Sequence, residues 1–295
     1  MRVKIASLLL IPYLVANFSA RAATILAPAD APLVTAQMYL DEAALYPMVG
    51  KVAGSGLSGS GVLISDRWVL TAGHISFGKT STASFNIGGV NYAVQNSITH
   101  SSYSFGSNPF DLGLLYLSES VPMVNAATMI QFDSPNSILG REATWVGHGL
   151  TGTGLTGVQN PFAFQAFTNI IDVMGPAYGL TETSFVSDFD RPDGSTNATQ
   201  SSPTATRLEG NVTSGDSGGG VFVTVNGISY LAGISSYTGR FGPGAASSYG
   251  SISGATNLDL FHSWIFDKTG ITAVPEPSTL WLLGIGSLGM LRRRR

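Results

Sequence analysis

A serine set among glycines is the most chemically suggestive feature of the sequence, which reads Gly215-Asp216-Ser217-Gly218-Gly219-Gly220. A serine hydroxyl becomes an effective nucleophile only when a base takes its proton. Acyl transfer also needs backbone N–H groups that face a developing oxyanion, and glycines permit a sharp turn without Cβ atoms that would block a substrate. The N–H groups of Gly215 and Ser217 could share one such oxyanion hole. Taken alone, the run is also typical of a plain glycine-rich turn.

Two further runs supply a candidate base and a candidate acid. His74 ends the run Arg67–His74, where the small residues Ala72 and Gly73 leave space around its ring. Asp111 directly precedes an apolar strand-like run, and a buried carboxylate there must find a hydrogen-bond donor. Considered separately, His74 could be a structural histidine and Asp111 a turn aspartate.

The three motifs together occur in the order His, Asp, Ser, which is the order of the chymotrypsin triad. With the run Gly59–Ser65, they make the chain resemble the trypsin-like serine peptidases from about Pro47 to Trp264. The resemblance implies two antiparallel β-barrels with the active site between them. It also implies that Ser217 attacks, that His74 acts as general base and then acid, and that Asp111 orients the imidazole and stabilises its charged form.

The substrate-binding residues are carried over from the same resemblance. The segment Leu231–Thr238 is similar to the strand that pairs with the substrate backbone in this family. This places Ser236 near the buried acid, Tyr237 in the pocket wall and Thr238 where it would narrow the pocket. Asn211, six positions before the serine, lies at the pocket base, and its uncharged side chain cannot supply the ion pair of a Lys/Arg-selective pocket. Small or medium neutral side chains are therefore the expected substrates.

The chain also departs from the family pattern. A glycine, Gly220, replaces the proline that usually ends the serine motif, and the chain contains no cysteine. An Ile-Val-Gly-Gly start at a suitable distance is missing, because Met48-Val49-Gly50 lies too close to Gly59. In the family, the amino group of that start pairs with the acid before the serine. The corresponding residue here, Asp216, therefore needs another donor.

Two alternatives to an active secreted endopeptidase follow from the same residues. One is a catalytically silent relative that serves as a surface or matrix-binding protein. The other treats Gly215–Gly219 as the nucleophile elbow of an α/β-hydrolase, whose histidine would have to follow the serine. Only His262 is available for that role, and the regular strand–helix alternation of that fold is missing.

The elements that must position these residues are strands. The 36 glycines and 14 prolines separate short runs rich in β-branched residues, which indicates an all-β fold. A C-terminal helix is expected near Asn257–Lys268, with Asn257 as its cap and Gly270 at its end. We expect an N-terminal extension at 23–45, barrels at 46–140 and 141–273, and an exposed mobile loop at 191–203.

Composition and charge exclude several functions. Only 11% of the residues are charged, against about 25% in typical globular proteins. Residues 23–273 carry 8 basic and 17 acidic residues, a net charge of −9, which disfavours nucleic acid as a partner. Without cysteine there is no disulfide scaffold or thiolate site, and the four histidines lack a zinc-binding spacing. No cofactor or metal is therefore expected.

The two ends of the chain look like targeting signals. Residues 1–22 combine a basic head, an apolar run and the sequence Ala20-Arg21-Ala22, which predicts a secretory signal peptide cut after Ala22. Residues 274–295 contain Val274-Pro275-Glu276-Pro277, an uncharged run at 279–291 and four arginines. This end is similar to the PEP-CTERM sorting signal of Gram-negative bacteria.

That second resemblance implies an exosortase-type sorting enzyme as a partner and a location in the cell envelope, at the cell surface or in the extracellular matrix. As a helix, the 13-residue run 279–291 would reach only about 20 Å, against about 30 Å for a hydrocarbon core. It is therefore a marginal membrane span, which could anchor the protein transiently or permanently.

Overall fold

The N-terminal segment is packed into the body of the protein. The structure, a computed structural model, describes residues 23–79, 82–104 and 109–277. Strand β1 (Ala23–Ile25) is followed by helix α1 (Ala36–Ala43), which the sequence did not predict. The buried Tyr39 fixes this helix, because its hydroxyl accepts a hydrogen bond from the Leu26 N–H (3.2 Å) and donates to the Glu209 carbonyl (3.0 Å). Residues 23–45 are thereby tied to the second half of the chain.

Six antiparallel strands close into a barrel in the first half of the chain, in the order β2-β3-β4-β7-β6-β5. They are β2 (Val49–Ala53), β3 (Gly59–Leu63), β4 (Trp68–Thr71), β5 (Ser84–Ile87), β6 (Val90–Thr99) and β7 (Gly113–Leu117). Buried aliphatic side chains such as Val62, Leu70 and Leu114 fill its interior. A single helical turn, α2 (Gly73–Ser76), follows β4 at one end of the barrel.

The second half of the chain is built from open sheets. Its strands are β8 (Ile130–Gln131), β9 (Glu142–Gly147), β10 (Leu150–Thr153), β11 (Gly157–Phe162), β12 (Gln165–Ile170), β13 (Val173–Met174), β14 (Ser184–Asp188), β15 (Gly210–Asn211), β16 (Gly220–Val225), β17 (Ile228–Arg240), β18 (Ser251–Asn257) and β19 (Val274–Pro275). Seven form a sheet in the order β12-β9-β16-β17-β18-β14-β13, and four form a sheet in the order β11-β10-β1-β15. Strands β8 and β19 pair in parallel.

Aromatic side chains form the centre of this second half. The indole of Trp145 stacks on Phe167 with a ring-centroid distance of 5.8 Å, and the edge of Phe185 meets it at 6.0 Å. All three side chains are buried, and such contacts add to the stabilisation from apolar burial.

The predicted all-β, chymotrypsin-like fold is confirmed, and so is the C-terminal helix. Helix α3 (His262–Thr269) follows a 3₁₀ turn, Leu258–Leu260, which is capped by the Asn257 side chain, the acceptor of the Asp259 N–H. Gly270 ends the helix with φ +74°. The second half of the chain differs in one respect from the predicted closed barrel. Within the described residues the first half closes as a barrel, whereas in the second half β10 and β15 pair with the N-terminal strand β1, β11 pairs with β10, and the seven-stranded sheet is open.

The loop at 191–203, predicted to be exposed, is mostly exposed or half-buried but is anchored to the body at Asp188. The Asp188 carboxylate accepts hydrogen bonds from the Ala198 N–H, the Thr199 N–H (3.2 Å) and the Thr199 hydroxyl (2.6 Å), and Thr199 is buried. The anchor could not be inferred from the polar loop sequence, because the acid lies outside it on β14.

A cluster of buried acids surrounds this anchor. Burial and the neighbouring Asp188 raise the pKa of Asp172 and of Asp190 to about 8, and burial raises the pKa of Glu209 well above its ordinary value. These carboxyls hold their protons more tightly in the folded protein than in the unfolded chain, where the pKa of Asp is about 3.9. The folded state is therefore favoured at acidic pH.

We expect the free energy of unfolding to decrease as the pH rises from about 4 to about 8, by up to about 1.4 kcal/mol per pH unit for each such group. Thermal melting from about pH 5 to about pH 9 measures this. Asp190→Asn, which mimics the protonated acid, should flatten the decline and raise the melting temperature at about pH 9. The exposed Asp267→Asn serves as the control, and a decline that is unchanged in Asp190→Asn would contradict the assignment.

Candidate active site

His74 and Asp111 meet at one end of the first barrel. The Nδ1 atom of His74 lies 2.8 Å from Oδ2 of Asp111, and the His74 backbone N–H donates to Oδ1 at 2.8 Å. The Cβ of any other residue at Gly73 would lie 3.0 Å from Asp111 Oδ1, so the glycine allows this close approach. The two contacts fix both the position and the orientation of the imidazole.

The second half of the chain completes the surroundings of the acid. Ser236 donates a hydrogen bond from its hydroxyl to Asp111 Oδ2 at 2.5 Å, and the Thr256 hydroxyl donates to the Asp111 carbonyl at 2.9 Å. Ser236 lies at an irregularity in the pairing of β17 with β18, between Ser235 and Tyr237. Asp111 is 1% exposed, and its carboxylate lies 2.8 Å from His74 Nδ1. These donors compensate the burial of its negative charge.

Ser217 lies on a turn that packs against strand β3 of the first barrel. Strand β4, which neighbours β3, leads to His74. Its carbonyl accepts a hydrogen bond from the Ser60 N–H at 2.7 Å, and the Ser60 carbonyl in turn accepts from the Thr71 hydroxyl at 2.7 Å. Thr71 is three residues before His74. In the described part of the chain, neither Ser217 Oγ nor His74 Nε2 has a hydrogen-bond partner. The structure therefore joins His74 to Asp111 directly and brings the serine turn alongside them without a serine–histidine hydrogen bond.

Two amides of the serine turn are left free. The Ser214 carbonyl accepts from the Leu150 N–H at 2.9 Å, and the Asp216 carbonyl accepts from the Gly219 N–H at 2.8 Å. Because C=O and N–H point in opposite directions across a trans peptide, these bonds fix the orientation of the N–H groups of Gly215 and Ser217. Within the described residues, neither N–H has an acceptor. Such a pair of oriented donors can stabilise an oxyanion.

Asn211 and Thr238 lie side by side. The buried Asn211 donates from Nδ2 to the Thr238 hydroxyl and to the Val212 carbonyl, both at 2.9 Å, and accepts from the Ser253 hydroxyl at 2.8 Å. Tyr237 is half-buried, and its hydroxyl lies 2.9 Å from that of Ser184. The Asn211 amide is thus fully engaged with uncharged groups.

Ser60 and Leu150 are site-supporting residues that the sequence did not single out. The Ser60 hydroxyl donates to the Gly215 carbonyl at 2.9 Å and accepts from the His148 N–H at 2.8 Å. Ser60 lies inside the Gly59–Ser65 motif, and this was the one indication in the sequence that it belongs to the site. Its partners Gly215 and His148 are more than 80 positions away, so the contacts themselves could not be predicted. Leu150 acts through its backbone N–H, so the residue type at this position does not indicate its role.

The histidines at 100 and 148 take part in aromatic contacts. His100 stacks on Phe110 with a centroid distance of 5.2 Å, and His148 stacks on Phe164 at 4.5 Å. Burial and the nearby Lys51 lower the pKa of His148 to about 4. Within residues 23–79, 82–104 and 109–277, no group of three acidic, histidine or cysteine side chains is arranged to hold a metal.

The start of the C-terminal motif is docked on the body. Strand β19 pairs with β8, and Glu276 forms an ion pair with Arg141 at 2.8 Å. The proposed signal peptide 1–22 and the apolar run 279–291 lie outside the described residues. Among the residues that are described, no helix has the length and apolar character needed to cross a membrane.

Comparison with known proteins identifies a family and a similar fold. The family model described as Trypsin matches residues 41–265, and the PEP-CTERM protein-sorting motif matches residues 273–295. The search of curated proteins returned no match. Among solved structures, the chain is similar to mouse neuropsin, a serine protease expressed in the limbic system of the brain. The two share 20% identity over 76% of this chain and 94% of that one, with a TM-score of 0.57.

An all-β fold with a histidine–aspartate pair beside a glycine-flanked serine defines the class of the trypsin-like serine peptidases. The chain belongs to the trypsin family, and it is a serine endopeptidase by that membership. Its C-terminus carries a PEP-CTERM motif, which indicates export and association with the cell envelope or surface of a Gram-negative bacterium.

Proposed function

We propose that the protein is an active secreted endopeptidase that cleaves peptide bonds through an acyl-enzyme on Ser217. The observation that carries the proposal is the orientation of the two unpaired amides, those of Gly215 and Ser217, beside a histidine already bound to Asp111. Gly215 and Ser217 are half-buried, so their oriented N–H groups stay accessible to a substrate carbonyl, as acyl transfer requires.

The chemistry follows from this arrangement. Ser217 Oγ attacks the substrate carbonyl while His74 Nε2 takes its proton, and the Gly215 and Ser217 amides hold the oxyanion. The imidazolium, stabilised by Asp111, then protonates the leaving amine. Water enters, gives a proton to His74 and releases the acid product, which restores Ser217.

A fluorophosphonate probe tests the proposal directly. The wild-type protein should become covalently labelled, and mass spectrometry should locate the adduct on Ser217. Folded protein that takes up no label would favour the alternative of a catalytically silent surface or matrix-binding protein.

The specificity pocket takes small or medium neutral side chains in this proposal. Asn211 forms its base, Thr238 narrows it, Tyr237 forms a wall, and Ser236 links the substrate strand to Asp111. Support comes from the hydrogen bond between Asn211 Nδ2 and Thr238 Oγ1, because an engaged neutral amide offers no countercharge to lysine or arginine.

We expect cleavage after residues such as alanine or valine and none after lysine or arginine. Replacing Thr238 with glycine removes a side chain from the pocket and should raise kcat/KM for phenylalanine or leucine relative to alanine by about tenfold or more. Cleavage of a peptide library, analysed by mass spectrometry, measures both effects. The matched control is Thr224→Gly on β16, which lies outside the proposed pocket, and a library profile unchanged by Thr238→Gly would contradict the role of Thr238.

In this proposal, the two ends of the chain direct its export and sorting. The signal peptide 1–22 directs export, and an exosortase-type enzyme acts on the C-terminal tail. The run 279–291 anchors the protein in the membrane transiently or permanently. Support for the tail comes from the match of the sorting motif to residues 273–295.

A further inference from the structure

A lysine of the first barrel lies close to the proposed oxyanion hole. Lys51 on strand β2 is directly opposite Ser60 on β3, and side chains of directly opposed residues project from the same face of a sheet. On that face the Ser60 hydroxyl donates to the Gly215 carbonyl at 2.9 Å. The neighbouring Val52 points the other way and is buried in the barrel, whereas Lys51 is exposed. The Lys51 side chain therefore projects toward the second half of the chain, on the side of Gly215.

A phenylalanine ring connects this lysine to the oxyanion hole. The Lys51 ammonium lies 5.7 Å from the centroid of the Phe162 ring, which is within the range of a cation–π contact. A Cβ at Gly215 would lie 2.9 Å from Phe162 Cε1, so the same ring also packs against Gly215. Phe162 is 51% exposed. A substrate bound at the Gly215 amide can therefore reach both the ring and the ammonium.

The charge of Lys51 is not neutralised by the protein. In the part of the chain that the structure describes, Lys51 forms no ion pair, whereas Arg141, Arg191 and Lys268 each have a carboxylate partner at 2.7 or 2.8 Å. The Phe162 ring beneath the ammonium supplies no countercharge. A carboxylate of another molecule can thus pair with Lys51 without displacing a partner from the protein itself.

An open groove continues beyond the lysine. It has a volume of about 510 Å³, and its lining includes Leu40 of helix α1, Val49 of β2, His148 and Phe164. Val49 is two residues before Lys51 and so lies on the same face of β2, and Lys51 is close enough to His148 to lower the pKa of its imidazole. Pockets of about 300–1,000 Å³ hold drug-sized ligands, so an extended peptide that passes Lys51 has room to continue.

The two flanks of the serine turn separate the two halves of a substrate. On one flank the Gly218 N–H donates to the Ser235 carbonyl of β17 at 2.7 Å, and β17 is the strand to which the acyl half of the substrate is assigned. On the other flank the Ser60 N–H donates to the Ser217 carbonyl at 2.7 Å. An extended peptide that follows β17 and places its scissile carbonyl at the Gly215 and Ser217 amides must therefore leave over β3 and β2.

We propose that Lys51 binds an acidic side chain of the substrate on the leaving-group side, within about three residues of the scissile bond. Each extended residue spans about 3.3–3.6 Å, so such a side chain passes over Phe162 before the peptide enters the groove. The inference rests on the proposed function, because it names the substrate class of the same site. Since the leaving peptide departs before water attacks the acyl-enzyme, the contact acts on acylation alone.

Charge reversal at Lys51 tests the contact. Peptides that differ only in Glu, Gln or Lys, placed in turn at the first three positions after the scissile bond, are compared by kcat/KM. At one of these positions the wild-type protein should prefer Glu to Lys by about tenfold, because an exposed ion pair and an exposed like-charge pair each change the rate by up to about fivefold. Lys51→Glu should invert the preference and Lys51→Gln should abolish it. The wild-type preference should also shrink as salt is raised from about 0.02 M to about 0.5 M.

Two controls separate this contact from general damage to the site. Lys268→Glu makes the same charge change on helix α3 and should keep the wild-type preference. An ester substrate with no residue after the scissile bond should be hydrolysed equally well by the wild-type protein and by Lys51→Glu. A preference for Glu that persists in Lys51→Glu would overturn the inference, and so would a loss of activity of equal size on the ester.

Peptide binding gives a measurement that does not depend on turnover. In the Ser217→Ala protein, fluorescence anisotropy of dye-labelled peptides should show tighter binding of the Glu peptide than of the Lys peptide, and adding Lys51→Glu should reverse that order. Equal binding of the two peptides would refute the role of Lys51 while leaving the proposed function intact. If the folded wild-type protein takes up no fluorophosphonate, the proposed function fails, and the anisotropy comparison still decides whether Lys51 selects an acidic side chain.

Discussion

Ser217→Ala is expected to reduce kcat/KM for peptide hydrolysis by about 10⁴- to 10⁶-fold. The hydroxyl is the atom that forms the acyl-enzyme, so no other group on the serine turn can replace it. The oxyanion donors and the substrate-binding strand remain, which leaves only a small residual rate above that of water. Hydrolysis of a peptide mixture, followed by mass spectrometry, provides the measurement.

The fold should survive this substitution. Ser217 Oγ has no hydrogen-bond partner in the described part of the chain, so its removal leaves no buried polar group unpaired, and the melting temperature should stay unchanged. Ser214→Ala, an exposed serine in the same loop, is the matched control and should keep parental activity. If purified Ser217→Ala cleaved peptides at the parental rate, Ser217 would not be the nucleophile.

A second large effect is expected for Asp111→Asn, with a decrease of about 10⁴-fold in kcat. The carboxylate accepts from His74 Nδ1 and from the His74 backbone N–H, so it selects the tautomer that leaves Nε2 free to take a proton. An amide NH₂ facing Nδ1 would favour the opposite tautomer, which cannot act as the base. Steady-state kinetics at neutral pH measure the loss.

The exposed Asp66→Asn controls for the change in net charge and should behave like the parent. A rate for Asp111→Asn within tenfold of the parental rate would exclude this aspartate as the orienting group. Because a tautomer effect requires a histidine base, Asp111→Asn should also lower the labelling of Ser217 by fluorophosphonate in the same proportion.

The sequence indicated the site better than it indicated the sheets. His74, Asp111 and Ser217 each lie in a short run whose residue types already limit the local conformation, such as the two small residues before His74. These constraints act over a few positions and can be found by inspecting the sequence. The C-terminal helix was predictable for the same reason, since Asn257 and Gly270 are local start and stop signals.

What the sequence did not indicate depends on contacts between distant positions. Strand β1 has only three residues, and its partners Thr151 and Asn211 lie more than 120 positions away. Helix α1 is held by a tyrosine hydroxyl on backbone groups of two other segments, which no local pattern records. The open architecture of the second half follows from β1, because β10 and β15 pair with it.

The docked sorting motif limits the distance between the catalytic body and the C-terminal apolar run. Glu276 is tied to Arg141, and only Pro277 and Ser278 stand between it and the apolar run that begins at Thr279. A linker of two residues spans less than about 10 Å. In the proposed case that the tail is held in a bilayer, this short linker would keep the catalytic body next to the lipid headgroups. Its substrates would then be proteins close to the membrane surface. Removal of the tail would let the enzyme diffuse and reach soluble substrates.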